Sequence, residues 1–263
     1  MPRSQPDHHA WDQLVASQDA VVTRAQAVAS GWTDGQVTRH LASGRWRRLH
    51  HGVFVTHTGP LVWSARLWAA LLHAGPDAVA SHHTAARLQQ LVDVDPPTVE
   101  LLVPWEQRVA DEPGLVVRRT RNLDERRHPS RSVPQTRVEH TVLDLAQLVS
   151  RPDKVVSWVL TACQRRATTP ERLATALATW PRHRHRRLIL EGLRWHPVDL
   201  RWRDDVRDNV AVLSGDAVLR FGWRPVVGSP CDVAAQAPAV LRDRGWQGEP
   251  HPCGPGCPVG RTE

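Results

Sequence analysis

Two Thr-x-x-Gln boxes, Thr23 with Gln26 and Thr33 with Gln36, constrain the fold of this chain more than any other feature. In each, hydroxyl and amide are spaced to satisfy orphan backbone donors at a helix start, so helices are expected to begin at Thr23 and Thr33. Only Ser30-Gly31-Trp32 separates them, a linker that suits the tight corner of a helix-turn-helix. Val37 and Leu41, four apart, face the core and leave Gln36, Arg39, His40 and Ser43 on other faces. Gly44 stops the helix, and residues 45–55, RWRRLHHGVFV, read as a strand, a glycine turn and a second strand. With Trp11, Leu14 and Val15 as an earlier helix face, residues 1–58 are expected to form a winged helix-turn-helix.

Such a unit predicts chemistry. Arginine pairs with guanine and glutamine with adenine in the major groove, so Gln36, Arg39 and His40 are the expected base readers. Arg45, Arg47 and Arg48 lie beside the wing and are the expected phosphate contacts. An ordinary three-helix corner with a solvated basic face shares the helical pattern; the wing and its arginines favour double-stranded DNA as the partner.

Net charge points the same way without settling it. The chain carries +7 over 263 residues, and Lys154 is its only lysine, so nearly all positive charge is guanidinium. Guanidinium pairs bidentately with phosphate or guanine. Basic surfaces also attract membranes and acidic proteins, and codon usage alone can enrich arginine. No leader-like apolar segment opens the chain and no apolar run approaches the roughly 20 residues needed to cross a bilayer, so no membrane contact and a cytoplasmic location are expected.

Residues 59–193 read as a middle α/β unit. Leu61, Trp63, Leu67, Trp68, Leu71 and Leu72 mark an apolar helix ending at Gly75-Pro76. Ala78-Val79-Ala80, residues 98–103 and residues 115–121 are strand candidates for a small sheet. Ser81 is placed to cap a helix carrying His82 and His83, which as adjacent helical residues cannot face one metal. Residues 132–136 lead into another capped helix striped by Val138, Val142, Leu145, Ala146 and Val149. Its Asp144 is expected to be a cap or salt-bridge partner, without catalysis. Further helices follow to Leu193 and are expected to pack over the sheet. The run Pro181-Arg182-His183-Arg184-His185-Arg186-Arg187 reads as a solvated helix entrance, with a second phosphate-contacting strip as the alternative.

The four cysteines are scattered and suggest no disulfide framework. Cys253-Gly254-Pro255-Gly256-Cys257 brings two thiols together in a flexible tail, residues 248–263. Four-ligand zinc needs two more donors, for which Cys231 and His251 are available, but the spacing is not that of an established finger. A free tail, no metal and no cofactor are therefore expected. Pro238 falls inside the helix expected from Asp232 to Arg244 and should kink or split it.

The order of segments resembles the AbiEi-like antitoxins of type IV toxin-antitoxin systems. The resemblance rests on Val22-Thr23-Arg24-Ala25-Gln26, on residues 44–54, on Ala80-Ser81-His82-His83-Thr84-Ala85-Ala86 and on Thr141-Val142-Leu143-Asp144-Leu145-Ala146, and covers nearly the whole chain. It implies an α+β protein: an N-terminal winged domain that represses its own operon, the middle domain, and a C-terminal domain related to very-short-patch-repair endonucleases. It also implies a nucleotidyltransferase-like toxin as partner. Residues 203–209 and 218–223 resemble the nuclease-like part. The acidic strands that hold a divalent metal in such nucleases have no room here, because residues 194–202 cannot supply two strands and Asp199 is their only acid. Residues 194–247 are thus expected to be a truncated remnant of a restriction-endonuclease-like α/β fold with no catalytic residues.

Three functions compete: a DNA-binding regulator of the antitoxin type, a metal-dependent DNA endonuclease targeted by the winged domain, and an antitoxin acting through protein contact alone. The missing acidic strands favour the first over the second. A palindromic operator would require a homodimer, although no coiled-coil heptad supplies one.

Overall fold

The computed structural model describes residues 8–195, 219, 229–255 and 257–259. Residues 1–196 form one compact unit and residues 197–263 another. The nuclease-like segments at 203–209 and 218–223, Leu219 apart, lie outside the described residues, as does Asp199. What is described is a mixture of helices and two small sheets, an α+β architecture.

The chain opens with α1 (His8–Ser17), β1 (Val21–Thr23), α2 (Arg24–Ala29), α3 (Asp34–Ala42), β2 (Arg47–His50) and β3 (Val53–Val55). Both boxes form. Gln26 and Gln36 backbone N–H groups donate to the Thr23 and Thr33 hydroxyls at 3.1 and 3.2 Å, and the glutamine carbonyl oxygens accept from the threonine N–H groups at 2.8 and 2.7 Å. Gly44 and Gly52 supply the positive φ needed to leave α3 and to turn the hairpin, at 71° and 73°. The strands pair antiparallel in the order β1-β3-β2, with an irregularity between Arg48 and His50. Strand β1, unexpected from the sequence, is only three residues long.

Alternation along these strands buries both faces of the sheet. Val22 and Phe54 join Trp11, Ala27, Val37 and Trp46 under the three helices. Val21, Val53 and Val55 face the other way, onto Ala65 and Ala69 of α4 (Trp63–Ala74). The opposite side of α4 offers Leu67, Ala70, Leu71 and Ala74 to a second sheet. Alanines set its two close approaches, so a single helix is shared across the boundary expected after residue 58.

That second sheet contains β4 (Val79–Ala80), β5 (Val99–Pro104) and β6 (Leu115–Thr120), with β4 antiparallel and β6 parallel to the central β5. Around it follow α5 (His82–Leu88), α6 (Leu123–Arg126), α7 (Val138–Leu148), α8 (Pro152–Gln164), α9 (Pro170–Ala178) and α10 (Arg186–Trp195). The later helices do not lie over the sheet as expected. Leu143 and Leu145 of α7, Val155 and Val159 of α8, Leu173 and Leu177 of α9 and Ile189 of α10 form a helical core of their own, joined by Ala86 of α5. No side chain caps α5 or α7: the Ser81 hydroxyl pairs instead with His82 Nδ1 at 2.9 Å, and Arg137 holds the N-cap position of α7. The arginine-rich run before α10 is not wholly solvated. His183 is buried and His185 half-buried, and their Nε2 atoms bond the Leu143 and Val149 carbonyls at 2.9 and 2.8 Å, pinning the loop to the end of α7.

A buried polar network joins sheet to helices. Asp144 pairs with Arg126, as a salt-bridge partner rather than a cap. Glu100 meets Arg118 at 2.9 Å and His83 at 2.8 Å; burial works against its charge, but hydrogen bonds from the His83 side chain and backbone hold its pKa below the ordinary value. Burial, ahead of Arg126, pushes His140 down to about 4, and burial pushes His82 down to about 3. Burial raises Asp144 to about 6 against the pull of Arg126.

These shifts make an acid-labile fold. A histidine whose folded pKa is depressed binds its proton more readily when unfolded, so its contribution is complete above about 6.5 and is lost as pH falls toward the folded value. Asp144 has the opposite sign and recovers some stability between about 6 and its unfolded value near 3.9. Two histidines outweigh one aspartate. Stability is expected to fall by on the order of 3 kcal/mol between pH 6.5 and 4. Urea midpoints across that range check this, and His140→Gln should flatten the profile.

In the second unit, α11 (Pro230–Ala234) and α12 (Ala237–Asp243) replace one continuous helix. The split falls where Pro238 predicts it, with the proline in the first turn of α12, where its missing N–H costs nothing.

Candidate nucleic-acid interface

The six residues expected to contact DNA all lie on α3, on β2 or between them, and the fold gives them different work. Arg39, Arg45 and Arg48 are exposed, and none takes part in an ion pair among the described residues. Arg39 shares the exposed side of α3 with Gly35, Thr38 and Ala42, small residues beside a long one. A Cβ placed on Gly35 would meet nothing within 4 Å, so this turn of backbone is open to close approach.

The other three are held by the protein itself. The Gln36 carbonyl oxygen is occupied in the cap of α3, accepting from both the Thr33 N–H and its hydroxyl, which leaves the amide N–H groups as its remaining donors. His40 lies over Trp46, with ring centroids 5.3 Å apart and planes at 24°, and meets the edge of Trp32 at 5.1 Å. Its Nδ1 is buried without a hydrogen-bond partner among the described residues. Arg47 is half-buried; its Nε donates to the His57 carbonyl at 3.4 Å and its Nη2 to that of Gly59, fastening the chain that leaves β3.

Two of the exposed guanidiniums act on His40. The His40 pKa is lowered first by burial, then by the charges of Arg45 and Arg39, so both arginines act on the same imidazole. Burial and the two guanidinium charges together disfavour the charged form of His40. The Arg24–Asp34 pair at 2.9 Å fixes the start of α2 against that of α3 and keeps Asp34 from opposing the arginine charge alone. Arg24 also covers the Phe54 ring at 5.6 Å, a contact missed from sequence because it joins α2 to β3.

Aromatic packing holds the helix pair rigid. Trp11 stacks on Trp46 at 5.6 Å and 8°, and Trp32 lies 5.2 Å from each. Trp11, Trp32 and Trp46 are thus the packing that fixes α1, the corner and the hairpin entrance. Off this face, His50, His73 and Glu112 bring donor atoms within 4.8 Å of one another. Burial, then His73, lowers the His50 pKa, with Glu112 opposing. The trio ties β2 to α4. His82 Nδ1 pairs with the Ser81 hydroxyl at 2.9 Å, and His83 Nδ1 with the Glu100 carboxylate at 2.8 Å. No helix among the described residues is long and apolar enough to cross a membrane.

Comparison with known proteins bears on the N-terminal stretch. Among curated proteins, none matches the chain. Residues 12–57, from within α1 to just past β3, match the family described as "Transcriptional regulator, AbiEi antitoxin", so the stretch carrying Arg39, Arg45 and Arg48 is similar to AbiEi antitoxin regulators.

Proposed function

We propose that the protein is a DNA-binding transcriptional regulator of the AbiEi antitoxin type, with residues 1–58 as a winged helix-turn-helix and no nuclease activity. What carries this is three exposed arginines within the stretch similar to those regulators: Arg39 on a doubly capped helix pair, Arg45 at its exit and Arg48 on the hairpin. In this reading α3 enters the major groove, Arg39 reads a base with help from the Gln36 amide, and Arg45 and Arg48 hold phosphates. His40 and Arg47 act as positioning residues, one through Trp46 and the other through the chain after β3. Its DNA would lie near its own promoter, a nucleotidyltransferase-like toxin would be its partner, and a palindromic site would be met by a homodimer.

Genomic DNA captured by the purified protein at two salt concentrations tests this. One enriched sequence beside its own gene is expected, with recovery falling steeply at the higher salt. The same DNA incubated with Mg²⁺ or Mn²⁺ should stay intact. Cutting that disappears in Asp199→Ala would instead establish the endonuclease.

A further inference from the structure

We propose that Cys231, Cys253 and Cys257 bind one zinc ion as thiolates, clasping the C-terminal turn to α11. The three sulfur atoms lie within 4.8 Å of one another, although Cys231 stands 22 residues before Cys253. Tetrahedral zinc with Zn–S bonds of about 2.3 Å sets its sulfurs about 3.8 Å apart, and Cys231 and Cys253 are already at 3.3 Å. A disulfide needs about 2.05 Å and would use only two of the three.

The local chain is shaped for the purpose. Cys253 and Cys257 have the spacing of a metal-binding turn, closed by the Cys257 N–H donating to the Gly254 carbonyl at 3.2 Å. Zinc binding breaks the S–H bonds and releases those protons to solvent, leaving each sulfur lone pair on the metal; affinity therefore rises with pH. Thiolates are soft donors and select zinc over magnesium or calcium. Among the described residues from 229 to 259, only Pro238 and Val259 are buried, so apolar packing there is sparse and a metal staple has a structural task. His251, the further donor considered from sequence, is exposed and does not converge with the three.

Full-length protein, purified under reducing conditions and equilibrated with zinc, should retain about one zinc ion per chain after dialysis. Cys231→Ser, Cys253→Ser and Cys257→Ser should each lose most of it, while Cys163→Ser, altering the remaining cysteine in α8, should keep it. Cobalt in place of zinc should give thiolate-to-metal charge-transfer absorption that Cys231→Ser abolishes. Should a variant fail to fold, thiol labelling of the unaltered protein decides the matter, since zinc should protect these three cysteines together. Metal-free protein after exposure to zinc, unchanged zinc in Cys231→Ser, or labelling indifferent to zinc would each overturn the proposal.

Discussion

Arg39→Ala is expected to weaken binding to the cognate duplex by about 5- to 150-fold, the range that a lost bidentate base contact worth about 1–3 kcal/mol allows. Base preference at one position should relax with it. The side chain leaves an exposed helix face whose backbone is fixed by the Thr33–Gln36 cap and the tryptophan packing, so the fold should be unaffected. Arg45→Ala and Arg48→Ala should act differently, weakening all sequences alike and each lowering the slope of log K against log salt by about 0.9. Binding isotherms on cognate and scrambled duplexes at several salt concentrations separate these effects. Unchanged affinity and preference in Arg39→Ala would remove α3 from the groove.

Asp144→Ala is expected to cost about 3–5 kcal/mol of folding stability, the largest effect of any single change considered. The substitution leaves the Arg126 guanidinium buried and without its carboxylate, beneath the Trp180 ring at 5.4 Å. The cost comes from the abandoned charge more than from the pair itself. Burial already carries the Asp144 pKa up to about 6, and both Asp144 Oδ2 and Arg126 Nε lack partners among the described residues. The pair is thus incompletely satisfied, and replacing both members with leucine should be far milder than removing the acid alone. Urea unfolding of the single and double variants measures the difference. Equal destabilisation by Asp144→Ala and the double variant would show that packing volume, not the orphaned charge, dominates.

The parts legible in the sequence were those decided within a few residues. The boxes at Thr23 and Thr33, the glycine exits at Gly44 and Gly52, and the break at Pro238 each depend on local spacing, and each forms. Strand β1 escaped notice because Val21, Val22 and Thr23 are too few to show alternation; β3 supplies the pairing. The separate helical core escaped because apolar stripes on α7 to α10 specify a buried side but not what covers it. The site shows the same division. Arg39, Arg45 and Arg48 stand on the surface as their spacing implies, whereas His40 is drawn onto Trp46 and Arg47 onto the chain after β3 by contacts periodicity cannot encode. Cys231 joins the tail cysteines only through the fold.

Helix α4 serves as floor to one sheet and roof to the other, through Ala65 and Ala69 on one side and Leu67, Ala70 and Leu71 on the other. The N-terminal three-stranded sheet is consequently not a detachable bead on a string. Cutting after residue 58 would strip Val21, Val53 and Val55 of their cover and leave a sticky underside. Conversely, whatever grips the middle of the molecule on that helix bears on the same element that covers the underside of the hairpin.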